Sequence, residues 1–335
     1  MLHKVGVLLS LLVLIIMLSG CDYLISQSET PPAIEQISET RVFLSTYCTI
    51  TIHGSDDYTL LDQAFELLEE LEALLSMTIA DSDIYRINHA NGMPALVDSR
   101  TAEVILAGIE FGELSDGLFD ITIGRLSHLW DFGNTQQIPD EAEIIEALET
   151  VNFRQVILDG NTVRLENPSA WIDLGAIAKG YIANELADFL IAHGVTSAFI
   201  NLGGDITTIG NRQDGSPWRI AVRNPFGDAD DWIGVMEVTN SSVAGSGTYE
   251  RTFEYDGVHY HHILNPTTGM PTKSDIISAT VVADRGMTAE GLSTIAILAG
   301  SNDVKYLFNN TPGFIGAVLV LDNEEVLIFG DIVFR

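Results

Sequence analysis

Apolar residues follow two spacings along the chain, and together these predict a fold that mixes helices with strands. Leu61, Phe65, Leu68, Leu71 and Leu75 recur at helical spacing, while other segments alternate between apolar and polar positions or are short and fully apolar. The helical pattern predicts helices over 60–75, in a short piece before 88, over 101–114 and 139–151, from about 176 to 193, over 286–300 and over 302–308. Strands are predicted over 43–52, 155–158, 162–165, 171–173, 197–201, 218–222, 234–238, 242–244, 276–282, 316–321 and 325–329, and in the run that ends at the two histidines 261 and 262.

The first twenty residues differ from the rest of the chain in their pattern of charged and apolar residues. A short positive start is followed by an apolar run over 5–18 and by Leu18-Ser19-Gly20-Cys21. Such a run is short for a membrane span and is typical of a secretory signal. The final residues resemble a bacterial lipobox, in which Cys21 becomes the lipidated N-terminus, although a transmembrane anchor is the alternative. We therefore predict a signal peptide over 1–20, a polar tether over 21–39 and one folded domain over 40–335, held at a membrane outside the cytoplasm.

The net charge limits the partners that the protein can bind, and the cysteine content limits its disulfide bonds. The 335 residues carry 16 basic and 47 acidic side chains, a formal net charge of −31. A surface this acidic argues against binding to nucleic acid or to anionic lipid headgroups. Cys48 is the one cysteine after Cys21, so an intrachain disulfide is not expected.

Two adjacent histidines provide the first candidate for chemistry. His261 and His262 end a strand-like run and precede the turn-forming segment Asn265 to Pro271. Neighbouring side chains in a strand point to opposite faces, so one histidine at most can face a given cavity. A positioned histidine can take a proton near neutral pH. The alternative is a pair of edge-strand residues without chemistry.

Three further positions carry charge in unusual places. Lys179, one of four lysines, lies where a turn at Gly175 enters a helix, and the positive end of a helix suits phosphate oxygens. Asp120 lies in an apolar stretch. A surface lysine and a turn-stabilising acid are the alternatives for these two. Glu290 and Thr294 share one helix face and would suit a hard cation such as Mg²⁺, although an exposed acid beside an ordinary threonine gives the same spacing.

Several segments, taken in order, resemble the ApbE family of flavin transferases over roughly residues 40 to 330. The resemblance rests on Ser82 to Asn88, Gly117 to Thr122 with Leu129-Trp130, Ile172 to Tyr181, Asn201 to Asp205, His262 to Pro271 and Ala289 to Thr294. It implies an α+β fold with mainly antiparallel sheets, packed helices and a flavin cleft between subregions. It also implies an FAD:protein FMN transferase, which cleaves the FAD pyrophosphate with Mg²⁺, attaches FMN to a threonine or serine of an extracytoplasmic acceptor protein, and releases AMP.

The same resemblance assigns roles to residues of this chain. His262 is the expected base, and His261 should face away from the site. The metal ligands are expected to be Glu290, Thr294 and the backbone carbonyl of Ala176. The residues expected to contact FAD are Leu44, Thr78, Leu118, Phe119, Asp120, Asp173, Lys179 and Leu264.

The chain departs from the family pattern at three places. Glu290 stands where the family usually has Asp, Asn265 replaces the usual Asp before proline, and Leu44-Ser45-Thr46 replaces a Met-Gly-Thr. Two alternative functions stay open: hydrolysis of FAD to FMN and AMP, and flavin or solute binding without catalysis. The sequence identifies neither the acceptor protein nor the oligomeric state.

Overall fold

The computed structural model describes residues 36–228 and 230–335. Within them lie eight α-helices: α1 Tyr58–Leu75, α2 Asp83–Asn88, α3 Ser99–Leu114, α4 Gly124–Trp130, α5 Glu141–Leu148, α6 Ala178–Ala192, α7 Gly286–Ala299 and α8 Val304–Asn309. Asp57, Ser82 and Asp98 cap α1, α2 and α3 by accepting hydrogen bonds from backbone N–H groups of the first turn.

An eight-stranded antiparallel sheet forms the centre of the fold. Its strands, in spatial order, are β1 Gln36–Phe43, β2 Thr46–His53, β6 Ala198–Leu202, β7 Asp205–Ile209, β10 Ser242–Gly247, β13 Ile276–Ala283, β14 Phe314–Leu321 and β15 Val326–Gly330. Smaller antiparallel sheets join β3 Ala95–Leu96, β5 Thr162–Leu165 and β4 Val156–Asp159, then β16 Val333–Phe334, β9 Trp232–Val238 and β8 Trp218–Arg223, and finally β11 Thr252–Tyr255 with β12 Val258–His261. The predicted α+β class with mainly antiparallel sheets is confirmed.

Both faces of the central sheet are covered. On β13, Val281 joins the main core formed with α1, α6 and α7, while its neighbour Val282 joins a second core with Trp218 and Met236 of the small β16-β9-β8 sheet. Successive side chains of a strand point to opposite faces, so the two cores lie on opposite sides. This double coverage explains the continuous apolar run of β14, which an exposed sheet face would not require.

The core residues come largely from the patterns seen in the sequence. The predicted stripe of α1 is buried along its whole length, from Leu61 to Leu75. The Asp-Gly hairpin is present, since Val156 to Asp159 pair with Leu165 to Thr162. The other predicted helices and most predicted strands are also found, with ends that differ by a few residues.

Three predictions about local structure were wrong. The single strand over 43–52 is a hairpin, because Leu44 and Ser45 adopt positive φ angles and turn β1 onto β2. The tether was extended too far, since β1 begins at Gln36 and pairs with β2 as far as His53. Residues 171–173 form no strand; Trp171 makes one isolated bridge with Ile123 and the chain then turns.

The predicted signal peptide, Cys21 and the tether as far as residue 35 lie outside the described residues. Among the described residues, no helix combines the length and the apolar character needed to cross a membrane.

Candidate functional site

Three charged side chains from different elements meet at the N-terminal end of α6. Lys179 lies in the first turn of α6, Asp205 begins β7, and Glu290 lies on α7. The Lys179 ammonium is 3.0 Å from Asp205 Oδ2 and donates a hydrogen bond to Glu290 Oε1. We call these three residues the Lys179 cluster.

A pair of glycines allows this meeting. A Cβ at Gly180 would overlap the carbonyl group of Gly286, so α6 and α7 approach with no side chain between their first turns. The Gly180 N–H then donates to Glu290 Oε2 over 2.8 Å. Glu290 is therefore held on both oxygens, one by an ammonium group and one by a helix N-terminus.

Burial makes the charges of the cluster strong. Asp205 and Glu290 are buried, and Lys179 keeps a quarter of its side chain exposed. Burial opposes the charge of Lys179, but the Asp205 and Glu290 carboxylates outweigh this and raise the pKa of the ammonium. Burial raises the pKa of Glu290, and Lys179 opposes that rise. Lys179 is thus the counter-ion of two buried carboxylates, which excludes the alternative of an ordinary surface lysine.

Neutral oxygens lie on the same helix face as Glu290. Thr294 is half-buried, and its hydroxyl lies 3.2 Å from that of Ser246 on β10. Ser246 also contacts the hydroxyl of Ser293 over 2.7 Å, and Ser293 donates to the Glu290 carbonyl. Ala176 is half-buried just before α6. Over 36–228 and 230–335 no group of three His, Cys, Asp or Glu side chains is arranged to hold a metal ion, so the expected ligand set depends on hydroxyl and carbonyl oxygens.

The two histidines have different hydrogen-bond partners. His261 is buried, its Nε2 donates to the Thr272 carbonyl over 3.1 Å, and its Nδ1 accepts from the Ile263 N–H. The Nδ1 of His262 lies 2.9 Å from the Glu250 carbonyl. A carbonyl only accepts, so Nδ1 carries the proton, and the lone pair of the neutral ring is on Nε2. That Nε2 makes no hydrogen bond within the described part of the chain.

The segment that holds His262 is connected to the Lys179 cluster. Burial lowers the pKa of His262 to about 4, the hydrogen bond to Glu250 opposes this, and the charges of Arg251, His261 and Lys179 lower it further. His262 is therefore neutral at physiological pH. The Glu250 carbonyl that it contacts lies three residues after β10, whose Gly245 N–H lies 3.4 Å from Asp205 Oδ1 and whose Ser246 hydroxyl contacts Thr294. The structure brings the predicted base and the predicted metal carboxylate into one region.

Asp120, which is expected to contact FAD, is buried in the loop before α4. Asp120 Oδ1 accepts from the N–H and hydroxyl of Thr122, over 2.7 and 2.6 Å, and Oδ2 accepts from the Phe153 N–H over 2.9 Å. Burial raises its pKa, which these hydrogen bonds oppose. The side chain makes the contacts of a turn-stabilising acid. A contact between Asp120 and FAD stays a prediction.

Backbone hydrogen bonds join that loop to the segment before α6. The Asp173 N–H donates to the Ile121 carbonyl over 2.8 Å, and the Asp173 carboxylate accepts from the Gly175 N–H over 2.8 Å. Phe119 is buried beside this junction and Leu118 is half-buried. Leu118, Phe119, Asp120 and Asp173 are therefore on connected loops, as a shared binding role requires.

The remaining predicted FAD contacts lie in three places. Leu44 is in the β1–β2 turn, where its N–H donates to Glu72, and Thr78 is exposed in the loop after α1. Leu264 is buried in a small core with Trp130, whose indole N–H donates to the Gly269 carbonyl over 2.8 Å. That contact fixes the turn after His262 on α4.

Sequence reasoning missed two members of the site. Asp205 follows Gly203-Gly204 and was not among the expected site residues. Ser246 lies in a glycine-rich run that was given no function. The signal for Asp205 was an acid between paired glycines and the β-branched run Ile206 to Ile209, a position where burial in a strand demands a partner.

Comparison with known proteins shows the family of this chain. The ApbE family model matches residues 44–319. An FAD:protein FMN transferase of Treponema pallidum is 31% identical over 323 residues, which cover 90% of this chain and 89% of that protein. A Klebsiella pneumoniae protein of the same name is 38% identical over 278 residues, covering 82% and 86%. The solved structure of the flavin transferase ApbE from Vibrio cholerae is 28% identical, with a TM-score of 0.80 over 89% of this chain and 97% of that one. The chain therefore belongs to the ApbE family.

Proposed function

We propose that this protein is an FAD:protein FMN transferase. It breaks the pyrophosphate bond of FAD, joins FMN through a phosphoester to a threonine or serine hydroxyl of an acceptor protein, and releases AMP. Relatives that cover most of the chain carry this name. The observation that carries the proposal is a His262 with an available Nε2, held by Nδ1 to a carbonyl just after the strand that contacts Asp205 and Thr294.

His262 acts as the general base in this reaction. The acceptor hydroxyl gives its proton to Nε2 as its oxygen forms a bond to the FMN phosphorus, and the bond to the AMP oxygen breaks. The hydrogen bond from Nδ1 to the Glu250 carbonyl holds the ring in the required tautomer. His261 cannot serve in this way without losing one of its two hydrogen bonds.

The charged residues near the base suit a pyrophosphate. Attack on phosphorus requires neutralisation of the negative charge on the phosphate oxygens. Lys179 supplies one positive charge, and the N-terminal end of α6 supplies backbone N–H groups. Asp173 and the loop that contains Leu118, Phe119 and Asp120 would orient the FAD.

The donor atoms expected to hold a magnesium ion are all oxygens. Glu290 offers a carboxylate, Thr294 a hydroxyl and Ala176 a carbonyl, all of them the hard oxygen ligands that Mg²⁺ prefers. When bound, Mg²⁺ would withdraw charge from the pyrophosphate oxygens. FAD is the substrate, and Mg²⁺ is the cofactor in this proposal.

The acceptor is expected to be a protein outside the cytoplasm. The signal-like residues 1–20 and the lipobox at Cys21 support a lipid-anchored enzyme on the outer side of a cell membrane. Metabolic labelling with a radioactive fatty acid tests this, since wild-type protein should incorporate label and Cys21→Ala should not. Equal labelling of both would contradict the anchor.

The histidine pair gives a matched test of the catalytic proposal. The full-length protein is incubated with FAD, Mg²⁺ and an extracytoplasmic acceptor, and AMP and the acceptor mass are measured. We expect the mass to rise by one FMN, and His262→Ala to slow AMP release by about 100- to 10,000-fold. His261→Ala should retain the rate within about fivefold while lowering the free energy of unfolding by about 1 kcal/mol.

Other outcomes identify the alternatives. AMP release without flavin on any acceptor would indicate a hydrolase that uses water in place of the acceptor hydroxyl. Intact FAD after hours with Mg²⁺, together with no effect of His262→Ala, would indicate a binding protein.

A further inference from the structure

Both carboxylate oxygens of Glu290 already accept a hydrogen bond in this structure. Lys179 occupies Oε1 and the Gly180 N–H occupies Oε2. Mg²⁺ is usually bound in proteins through one or two carboxylates. Each oxygen of Glu290 keeps a second lone pair, but a cation at Oε1 would lie beside the Lys179 ammonium, and the two positive charges repel. Tight binding of a cation therefore requires that the ammonium group move away.

Of the two partners, the lysine is the one that can leave. The Gly180 N–H is fixed in the first turn of α6, which is packed closely against α7 at Gly286. Lys179 reaches Glu290 through a flexible four-carbon chain, and a quarter of that chain is exposed. It also has a second carboxylate, Asp205, 3.0 Å away.

We propose that Lys179 is a built-in substitute for the metal ion. In the metal-free protein its ammonium neutralises Glu290, and it gives up Oε1 when a divalent cation arrives together with a pyrophosphate. This inference rests on the function proposed above, because it assigns the cation to Glu290 and the pyrophosphate to the same site.

Charge explains why the two ligands should arrive together. A cation at Glu290 without a pyrophosphate would stand beside a displaced ammonium group, and the two positive charges repel. A pyrophosphate supplies new acceptors for Lys179, so the ammonium can move from Glu290 onto phosphate oxygens. Metal and FAD then strengthen each other's binding, as linkage requires.

The substitute role also explains how the site stays folded without metal. Two buried carboxylates without a counter-ion would be costly, and Lys179 supplies one positive charge to both. The lysine thus stabilises the metal-free site and lowers its affinity for a cation that arrives without a pyrophosphate.

Binding of Mn²⁺ alone, followed by electron paramagnetic resonance, tests this without any turnover. We expect the full-length wild-type protein to bind Mn²⁺ weakly, and Lys179→Met to bind it at least about tenfold more tightly. Lys179→Gln should also bind more tightly, and Lys179→Arg, which keeps the charge, should bind as weakly as wild type. Lys305→Met, at an exposed position of α8, is the matched control and should change nothing.

Thermal unfolding in the same samples separates this effect from damage to the fold. Lys179→Met should unfold at a lower temperature than wild type without metal, and Mn²⁺ should raise its unfolding temperature by more than it raises that of wild type. Binding by both Lys179→Met and Lys179→Gln that is no tighter than wild type would overturn the substitute role.

Glu290→Ala distinguishes failure of this inference from failure of the proposed function. It should bind no Mn²⁺ at the site. If it binds Mn²⁺ as wild type does, the metal assignment itself is wrong. If it loses binding while the lysine variants gain nothing, the metal assignment holds and only the role of Lys179 fails.

Discussion

The loop of residues 118–123 and helix α7 each bury one carboxylate, and they neutralise it in different ways. Asp120 accepts hydrogen bonds from the N–H and hydroxyl of Thr122 and from the N–H of Phe153. Glu290 accepts one from a backbone N–H and one from Lys179, a charged group on a flexible side chain. The first arrangement holds a turn in place. The second contains a group that can leave, and an acid with an exchangeable partner is able to bind something else.

This comparison matters because the two acids look alike in sequence and in burial. Both lie in apolar stretches, and burial raises the pKa of both. Neither burial nor a shifted pKa separates structure from function here. The nature of the partner does.

Removing the carboxylate of Glu290 should have the largest effect. Glu290→Ala removes the only charged metal ligand in the proposed set, and we expect FAD cleavage to fall by at least about 1,000-fold, since a bound cation contributes several kcal/mol to phosphoryl transfer. FAD affinity should change by less than about tenfold. AMP release and quenching of flavin fluorescence measure the two quantities. An unchanged rate would remove Glu290 from the mechanism.

Moving α6 and α7 apart should disturb the position of Glu290 while the glutamate itself is kept. Gly180→Ala places a methyl group against the Gly286 carbonyl, and we expect a loss of about 2 kcal/mol in the free energy of unfolding and at least a tenfold slower reaction. Urea denaturation and AMP release check this. Gly133→Ala, at a glycine with open space around it, is the control and should leave both quantities nearly unchanged.

Much of the scaffold around this site could be predicted from local pattern. The stripe of α1 and the Asp-Gly hairpin require only neighbouring residues, and both are present. The β1–β2 hairpin was not predicted, because Leu44 and Ser45 adopt positive φ angles without the glycine or asparagine that usually marks such a turn. Local propensity also missed α4, seven residues that begin with a glycine and are held by contacts with the turn after His262.

The site was harder to predict because its contacts span long distances in sequence. Lys179 and Glu290 are 111 residues apart, and no periodicity indicates that they meet. Strand alternation indicated that one histidine of the pair could face a cavity, but the resemblance to the family selected His262. The structure adds the physical difference: both ring nitrogens of His261 are bonded, and one of His262 is bonded to a carbonyl.

Removing the Asp120 carboxylate should cost stability more than activity. Asp120→Ala leaves the N–H groups of Thr122 and Phe153 buried without their acceptor, so we expect the free energy of unfolding to fall by about 2 kcal/mol. The folded fraction should cleave FAD at a rate within about threefold of wild type. Urea denaturation and AMP release again give the two numbers. A rise in the KM for FAD at unchanged stability would instead support the predicted contact between Asp120 and FAD.

Shortening the acid on α7 should have the smallest effect on the reaction. Glu290→Asp introduces the residue that the family usually has, with the carboxylate one methylene further from Lys179 and from the Gly180 N–H. We expect FAD cleavage to stay within about tenfold of wild type, since a carboxylate remains on the face shared with Thr294. The free energy of unfolding should fall by about 1 kcal/mol, because a charged hydrogen bond is weakened. A loss of activity as large as that of Glu290→Ala would show that this chain requires the longer arm, and that its cluster is built around the glutamate and not only around a negative charge.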